Sequence, residues 1–355
     1  MKIGILTFPH APSLGAMLQM RALYHALESM GHDVEIVNYE SPNVIHKKKR
    51  KKNAKGMVIT VLSKCFIKSS APSFREFEAP LKMFPEMPSF DQEALDAIAD
   101  RFDRIIVGSD QVWNPVVTGY DKNFYLEFCS DPAKKASYAA SFGYAQIEEH
   151  DQKRVGELLN EFSYLSVREK DGAEIIKSLT GRDAKVVLDP TLLVESDYLR
   201  GLAKPANRKN KYVLFFTIKP SPTLYRRAAE YAERYGLELV TIGGRMKDRF
   251  DPKKHPAFGV GPKEFLGFLD GAECVFTNSF HGTAVSIALH TDFYVEFSSD
   301  TNSRLENLTS ILNLRDRIVT EKILTDEKID YSSVDVLLSE YRTESMEYLK
   351  EVVAE

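Results

Sequence analysis

A strand, a polar turn and a helix start follow one another in Ala272–Leu289, A-E-C-V-F-T-N-S-F-H-G-T-A-V-S-I-A-L. The apolar run Cys274–Phe276 has the length and composition of a buried strand. Open α/β sheets bind ligands at such strand ends, and backbone N–H groups at a helix start attract phosphate or carboxylate. His281 lies in the turn and can change charge near neutral pH. A helix cap at Ser279 beside a structural histidine explains the turn equally well.

The two residues after His281 are compatible with both interpretations, a ligand site and an ordinary helix start. Gly282 has no side chain, so a ligand could approach the backbone closely there. Thr283 is an alternative capping residue for the helix. The turn therefore predicts either an anion site or an ordinary helix start.

The same alternation of apolar runs and helical segments recurs along the chain. Ile3–Phe8 predicts a strand, a helix begins near Gly15, and Val34–Val37 predicts the next strand, which makes a βαβ unit and a parallel sheet. Gly15 resembles a phosphate-binding turn only weakly, because no G-x-G-x-x-G is present. The first half predicts about six strands. The second half predicts four more, near 212–217, 237–242, 274–276 and 293–297.

A chain of 355 residues exceeds what one core usually holds. The polar stretch 201–211 contains Pro205 and is a linker candidate. We therefore predict an N-terminal Rossmann-like domain over 1–200, a C-terminal one over 211–325, and a final helix in 326–355 that packs back on the core. The predicted class is α/β, with the two Rossmann-like domains facing a cleft.

Composition excludes several functional classes. Hydrophobic content of 43% and charged content of 28% are ordinary for a soluble globular protein, and the net charge of -4 disfavours a general nucleic-acid binder. Three widely spaced cysteines offer neither a disulfide framework nor a metal cluster. The first residues do not read as a signal peptide, and no segment has transmembrane length. We therefore expect a cytoplasmic protein, and the eight histidines show no metal-ligand spacing.

A basic segment, 46–68, carries six consecutive cations, Lys47–Lys52, followed by an apolar helical face within Val58–Phe66. A solvated loop is one interpretation. The other is an amphipathic patch on an anionic membrane surface, which would place the protein at the inner face of the membrane. Nucleic acid is less well supported, because no further basic stripe accompanies the segment. The proline- and phenylalanine-rich stretch Ala71–Phe90 predicts an ordered covering loop.

Polar residues also follow strands of the first half. The strand Arg104–Gly108 ends in a turn that holds Ser109, Asp110, Gln111 and Asn114, residues suited either to ligand contact or to a tight structural turn. Arg168 follows the strand 164–167, and its fork could bind carboxylate or phosphate. A surface ion pair of Arg168 with Glu169 or Asp171 is the alternative.

Several blocks, in order, resemble the polysaccharide pyruvyl transferase family. They cover most of the first 320 residues: Gly15–Gln19, Gly31–Val34, Val107–Pro115, Ser137–Gly143, Ser166–Glu169, Leu188–Thr191, Thr277–Thr283 and Asn302–Leu305. The chain departs from the family's pattern just before Gly15, where Ser13-Leu14 stands in place of Asn-Tyr.

The resemblance implies a glycosyltransferase-B-like fold and transfer of pyruvate from phosphoenolpyruvate onto a sugar as a ketal. The acceptor would be a cell-surface polysaccharide of capsule or cell wall, or its polyprenyl-diphosphate-linked precursor. The resemblance gives catalytic roles to His281 and Arg168 and a donor contact to Arg304, for which pairing with Glu306 is the alternative. Phosphoenolpyruvate is the donor substrate, and no cofactor is implied. The remaining predicted substrate contacts are Ser279, Gly282, Thr283, Ser109, Asp110, Gln111, Asn114, Gly15 and, more weakly, Arg245.

Two rival functions remain open. A sugar-nucleotide glycosyltransferase on the same fold often carries two glutamates eight residues apart, yet the residues eight beyond Glu264 and Glu273 are Ala272 and His281. A non-catalytic carbohydrate-binding relative would keep the fold without the chemistry. The intact His281 and Arg168 argue against that second rival.

Overall fold

The computed structural model describes residues 1–43, 70–89, 91–144, 146–243, 257, 259–297, 302–320, 325 and 327–354. The predicted basic segment 46–68 and Arg245 lie outside these residues. Contacts between residues divide the chain into two compact units. The first comprises Met1–Lys51, Ala79–Leu193 and Ser339–Glu355, and the second comprises Lys52–Glu78 and Val194–Leu338.

Among the described residues, seven parallel strands form the sheet of the first unit. They are β1 (Lys2–Leu6), β2 (Asp33–Tyr39), β3 (Met83–Ser89), β4 (Arg104–Asp110), β5 (Lys135–Ala140), β6 (Ser166–Val167) and β7 (Lys185–Val186). Their order across the sheet is β3-β2-β1-β4-β5-β6-β7. The central strands β1 and β4 are buried almost throughout, as expected of a parallel sheet covered on both faces. All carboxyl ends therefore lie along one edge of the sheet.

Four parallel strands form the sheet of the second unit in the described residues. They are β8 (Tyr212–Thr217), β9 (Glu238–Gly243), β10 (Cys274–Thr277) and β11 (Phe293–Val295), in the order β11-β10-β8-β9. These four match the strands predicted for the second half of the chain. The register pairs Thr277 with Phe216 and with Val295, so β10 ends level with its two neighbours.

Helices connect the strands in both units. Those described are α1 (Leu14–Ser29), α2 (70–78), α3 (Gln92–Arg101), α4 (Pro115–Thr118), α5 (Glu149–Asn160), α6 (Lys170–Thr180), α7 (Ser196–Leu202), α8 (Pro222–Tyr235), α9 (Pro262–Asp270), α10 (Phe280–Ala288), α11 (Asn302–Ile311) and α12 (Tyr331–Val352). Gly181 and Gly236 end α6 and α8 in the left-handed conformation, which glycine adopts readily after a helix. Within the described ranges, no helix combines the length and apolar character that crossing a bilayer requires.

The division into units differs from the predicted domain boundaries just before the linker candidate and within the final helix. Helix α7 belongs to the second unit, because Ser196 Oγ donates to the Ala288 carbonyl and Arg200 Nε pairs with Asp270. From residue 339 onward, α12 belongs to the first unit. Its Ser345 Oγ accepts from Leu188 N, and Tyr348 OH donates to Ser137 O.

The stretch predicted as a covering loop, Ala71–Phe90, is mostly regular structure. It contains most of α2 and all of the edge strand β3, which is the strand beyond the predicted six. Helix α2 belongs to the second unit, where Ser73 and Glu76 contact Glu264 and Lys263 of α9. In the sequence alone, the prolines favour a loop over a strand. An edge strand such as β3 nevertheless tolerates proline, whereas a central strand does not.

Glu35, a buried carboxylate on β2, allows a prediction about stability. Arg101 donates two hydrogen bonds to Glu35 on β2, at 2.6 and 2.7 Å, and the Glu35 side chain is 7% exposed. These bonds lower the pKa of Glu35, outweighing the burial that raises it. The folded pKa therefore lies below the unfolded one, so the stabilisation is complete at neutral pH and is lost as the pH falls through the folded pKa.

We expect Glu35→Gln to lower the free energy of unfolding at pH 7 by about 1–2 kcal/mol, after allowing for solvent at the partly exposed Arg101. The difference from the native protein should shrink below about pH 4. Urea denaturation at both pH values measures it, with the exposed Glu174→Gln on α6 as control. A difference that grew on acidification would contradict this account.

Candidate functional site

Several polar residues lie at the carboxyl edge of the first sheet, where all of its parallel strands end. Ser109 and Asp110 end β4, Arg168 follows β6, and Asp189 comes three residues after β7. Asp110 has a φ of 76°, which is uncommon for a residue other than glycine. Residues held in such conformations concentrate at functional sites, so this turn is a place to look for one.

Arg168 forms a buried ion pair within this group. Its Nη1 donates to Asp189 Oδ2 at 2.7 Å, its Nη2 lies 3.7 Å from Asp110 Oδ1, and the residue is 3% exposed. Burial lowers the pKa of the guanidinium, but the carboxylates of Asp189, Asp110 and Glu169 outweigh this effect and raise it. Arg168 thus forms an ion pair, but it is a buried pair with Asp189 and not the surface pair with Glu169 or Asp171 that the sequence offers as the alternative. A donor contact of Arg168 rests on the family resemblance alone.

Asp189, which the sequence prediction did not include as a site residue, is the centre of this network. It accepts from Ser109 Oγ at 3.2 Å and from both the backbone N–H and the hydroxyl of Thr191, at 3.0 and 2.7 Å. The Asp-Pro-Thr order is the available signal, because an aspartate at this position caps its own turn, which fixes the direction of its carboxylate.

Ser109 and Asn114 take structural parts in the turn after β4. The Ser109 N–H donates to Gln19 Oε1 at 3.1 Å, and its carbonyl accepts from Thr7 Oγ1 at 3.1 Å, so Ser109 is fully enclosed. Asn114 caps α4 through Val116 N and also bonds the Gln111 side chain. The partly exposed residues of this turn are Asp110 and Gln111.

Two other features of the first unit belong to its scaffold. Trp113 is fully buried, stacks on Tyr125 with centroids 5.7 Å apart, and donates its indole N–H to the Phe124 carbonyl. Gly15 is buried in the first turn of α1, which Ser13 caps through Ala16 N.

In the second unit, His281 lies in the first turn of α10, at the carboxyl end of β10. Ser279 is the N-cap: its Oγ accepts from Gly282 N at 3.2 Å, and its own N–H donates to Thr277 Oγ1 at 3.0 Å. His281 is 9% exposed. The positive end of a helix dipole therefore lies at this histidine.

Arg304 on α11 shares an aromatic neighbour with His281. The Arg304 guanidinium lies 5.9 Å from the centroid of the Phe280 ring, and the His281 ring meets the same ring edge to face at 5.3 Å. Arg304 is 6% exposed. The structure thus places His281 and Arg304 against one aromatic ring, that of Phe280, which directly follows the N-cap Ser279.

Asn278 and Thr217, which the sequence prediction did not include as site residues, complete this edge. Asn278 Oδ1 accepts from Ile218 N at 3.0 Å and its Nδ2 donates to the Lys219 carbonyl at 2.8 Å, which fixes the loop after β8. The Thr217 hydroxyl is buried and has no hydrogen-bond partner within the described residues. A buried hydroxyl in that state at a strand end is a group that a ligand could satisfy.

The comparison with protein families decides the affiliation. The family model described as "Polysaccharide pyruvyl transferase" matches residues 14–295 of the 355. The chain belongs to this family. It is a transferase family, and the match spans both the turn after β4 and the His281 turn. A search of curated proteins finds no match to the sequence.

Three of the solved structures similar to this family member are named as UDP-GlcNAc 2-epimerases, one of them as putative. UDP-GlcNAc 2-epimerase from Methanocaldococcus jannaschii aligns with a TM-score of 0.50 at 13% identity, covering 96% of this chain and 92% of that one. The enzyme from Neisseria meningitidis, bound to UDP-GlcNAc, gives 0.50 at 13%, covering 100% and 95%. A putative one from Listeria monocytogenes gives 0.51 at 13%, covering 98% and 90%. These identities show the fold alone, and the predicted α/β class of glycosyltransferase-B type is confirmed.

In this pyruvyl transferase family member, Gly282 and Thr283 serve packing. A Cβ built on Gly282 would lie 2.6 Å from Thr277 Oγ1 and 3.1 Å from the Phe216 ring. The Thr283 hydroxyl donates to the Ser279 carbonyl at 3.1 Å. The interpretation that Gly282 opens the backbone to a ligand is therefore weaker than a steric one, since the missing side chain faces the protein.

Gly282→Ala should therefore destabilise the second unit, by about 1–3 kcal/mol, because the start of α10 must move away from β8 and β10. Thermal unfolding measures the loss. The control is Gly201→Ala on α7, where a Cβ meets nothing within 4 Å and alanine favours the helix. Equal melting temperatures for the native protein and Gly282→Ala would disprove the steric interpretation.

Proposed function

We propose that this family member transfers pyruvate from phosphoenolpyruvate to a sugar of a cell-surface polysaccharide or of its lipid-linked precursor, forming a ketal. Family membership supports the reaction class. The observation that carries the proposal is the arrangement of His281 and Arg304 around Phe280 at the start of α10. Two side chains able to carry positive charge, beside the positive end of a helix, suit a donor with a phosphate and a carboxylate.

The two units offer different charge environments, and this supports the assignment of the donor to the second. Around Arg168 in the first unit, three carboxylates accompany one guanidinium: Asp110, Glu169 and Asp189. Such a surplus of negative charge would repel a highly charged donor but would accept sugar hydroxyls as hydrogen-bond donors. We therefore assign the acceptor glycan to the first unit and the donor to the second.

The chemistry follows from the donor's structure. A proton is added to the methylene carbon of phosphoenolpyruvate, and the adjacent carbon becomes oxocarbenium-like. One sugar hydroxyl adds there, the carbon–oxygen bond to phosphate breaks, and a second hydroxyl closes the ketal. In this proposal His281 supplies the proton, or stabilises the departing phosphate, and Arg304 holds the donor's anionic groups.

The test is incubation with phosphoenolpyruvate and a set of lipid-linked glycans. Phosphate release that depends on the acceptor, with one pyruvate ketal in the product by mass spectrometry, supports the proposal. UDP release from a UDP-sugar, with no use of phosphoenolpyruvate, would favour the sugar-nucleotide rival. Binding of glycans without any turnover would favour the non-catalytic one.

We further propose that the enzyme acts at the cytoplasmic face of a membrane, through the basic segment 46–68. The support is the sequence alone: six adjacent cations and an apolar face. Replacing the cations Lys47–Lys52 by glutamine should weaken binding to anionic vesicles, measured by co-sedimentation. The loss of binding free energy should be about 1 kcal/mol per cation and smaller at high salt. Turnover of a soluble acceptor should not change. Equal sedimentation of both proteins would refute membrane contact.

A further inference from the structure

The loop after β1 places a histidine at the carboxyl edge of the first sheet. His10 is partly buried, and its Nε2 lies 2.6 Å from Oδ1 of Asn38, the buried residue next to last in β2. The same edge holds Asp110, because β1 pairs with both β2 and β4. Thr7, three residues before His10, donates to the Ser109 carbonyl, so this loop and the turn after β4 are neighbours.

The orientation of the Asn38 amide determines the tautomer of His10. Asn38 Nδ2 donates to two carbonyl oxygens, of Pro85 at 2.9 Å and of Glu86 at 3.3 Å. Carbonyl oxygens only accept, so the NH₂ group must face them and Oδ1 must face His10. The hydrogen in the His10–Asn38 bond therefore belongs to His10 Nε2. In the neutral ring Nδ1 then carries a lone pair.

The structure leaves this lone pair available. No described residue forms a hydrogen bond with His10 Nδ1. An imidazole whose one nitrogen is fixed by a hydrogen bond and whose other is open has the arrangement of an oriented general base. Asn38 orients the His10 ring, and the carbonyls of Pro85 and Glu86 fix the Asn38 side chain.

We infer that His10 Nδ1 is the general base that takes the proton from the attacking hydroxyl of the acceptor glycan. The inference rests on the proposed function. As the hydroxyl oxygen bonds to the central carbon of phosphoenolpyruvate, its O–H bond breaks and the proton passes to His10. The second hydroxyl loses its proton at ring closure. Of these two protons, one balances the proton gained by the methyl group, and the other leaves with inorganic phosphate.

A histidine from elsewhere in the same unit is a matched control. His32 directly precedes β2, so it lies at the amino edge of the sheet, with its Nδ1 3.4 Å from the N-terminal nitrogen. His32→Gln changes the same side chain in the same unit, away from the proposed acceptor edge. It should keep the turnover of the native enzyme.

His10→Gln should lower kcat for pyruvyl transfer by about 10²–10⁴-fold, because glutamine can still donate to Asn38 but cannot take a proton. The KM for phosphoenolpyruvate should stay unchanged, since the donor is assigned to the second unit. In His10→Ala, added imidazole should restore part of the rate. Native turnover in His10→Gln, with a native circular dichroism spectrum, overturns the assignment.

A second measurement distinguishes a failure of the role proposed for His10 from a failure of the proposed pyruvyl transfer. Nitrogen-15 NMR of the native protein should place the hydrogen of the neutral His10 ring on Nε2, and a neutral ring with its hydrogen on Nδ1 overturns the inference without any assay. If the native enzyme transfers pyruvate and His10→Gln does so equally, only the role of His10 fails. If the native enzyme moves no pyruvate to any glycan, the proposed function fails, and the role of His10 fails with it.

Discussion

His281→Gln should lower the rate of pyruvyl transfer by about 10²–10⁴-fold and leave the fold intact. Glutamine fills a similar volume and keeps an N–H donor, but it cannot deliver a proton to the methylene carbon of phosphoenolpyruvate. His281 is on a helix capped independently by Ser279, so the start of α10 should survive the change. Steady-state phosphate release and urea denaturation of the same preparation measure the two effects.

The control for this prediction is His290→Gln. His290 is partly exposed and bonds Asp335 at 2.9 Å, outside the group around Phe280, so its loss should leave turnover unchanged. In heavy water the native enzyme should place deuterium in the product methyl group. A general acid acts in its protonated form, so the native rate should fall at high pH and this limb should be missing in His281→Gln. Near-native turnover with the same alkaline limb in the mutant would remove His281 from the mechanism.

The order of strands and helices could be predicted because short apolar runs and helix stops are local signals. The predicted strand Cys274–Phe276 is within β10, and Gly181 and Gly236 end α6 and α8 as glycine after a helical stretch commonly does. Parallel pairing follows from the βαβ order, and it also places the strand-end turns at one edge of each sheet. These signals are sufficient to place His281 and Asp110 at strand carboxyl ends.

The partners of the site residues could not be predicted, because they depend on pairing between distant segments. Arg168 and Asp189 are 21 residues apart, and they meet only because β6 and β7 are adjacent in the sheet. Local sequence offered Glu169 and Asp171 as partners instead. Likewise His10 and Asn38 meet through the pairing of β1 with β2, 28 residues apart along the chain.

Residues that pack and residues that bind ligands also look alike in sequence. Ser109 has the polar side chain of a ligand contact, yet its position between Gln19, Thr7 and Asp189 encloses it fully. Gly282 has the small size of a ligand contact, yet its missing side chain faces Thr277. Only the direction in which each group faces separates the two roles, and this direction depends on tertiary packing.

Arg168 gives the largest expected loss of stability. Arg168→Ala removes the cation from a buried group that includes Asp189, which is 1% exposed, and should cost about 3–5 kcal/mol, because a buried carboxylate loses its charge partner. Arg168→Lys keeps the charge but cannot reach two carboxylates as the guanidinium fork does, so an intermediate loss is expected. The exposed Arg154→Ala on α5 should change stability by less than about 0.5 kcal/mol.

Calorimetry with phosphoenolpyruvate on the Lys variant then separates the two roles of Arg168. If Arg168 only stabilises the first unit, by orienting Asp110 and Asp189, the Lys variant should bind phosphoenolpyruvate with native affinity. Its free energy of unfolding should be lower than that of the native protein. If it contacts the donor, affinity falls at a temperature where the variant is still fully folded. The enclosure of Arg168 by three carboxylates leads us to expect the first result. A large loss of affinity without loss of stability would restore the donor contact that the family resemblance implies.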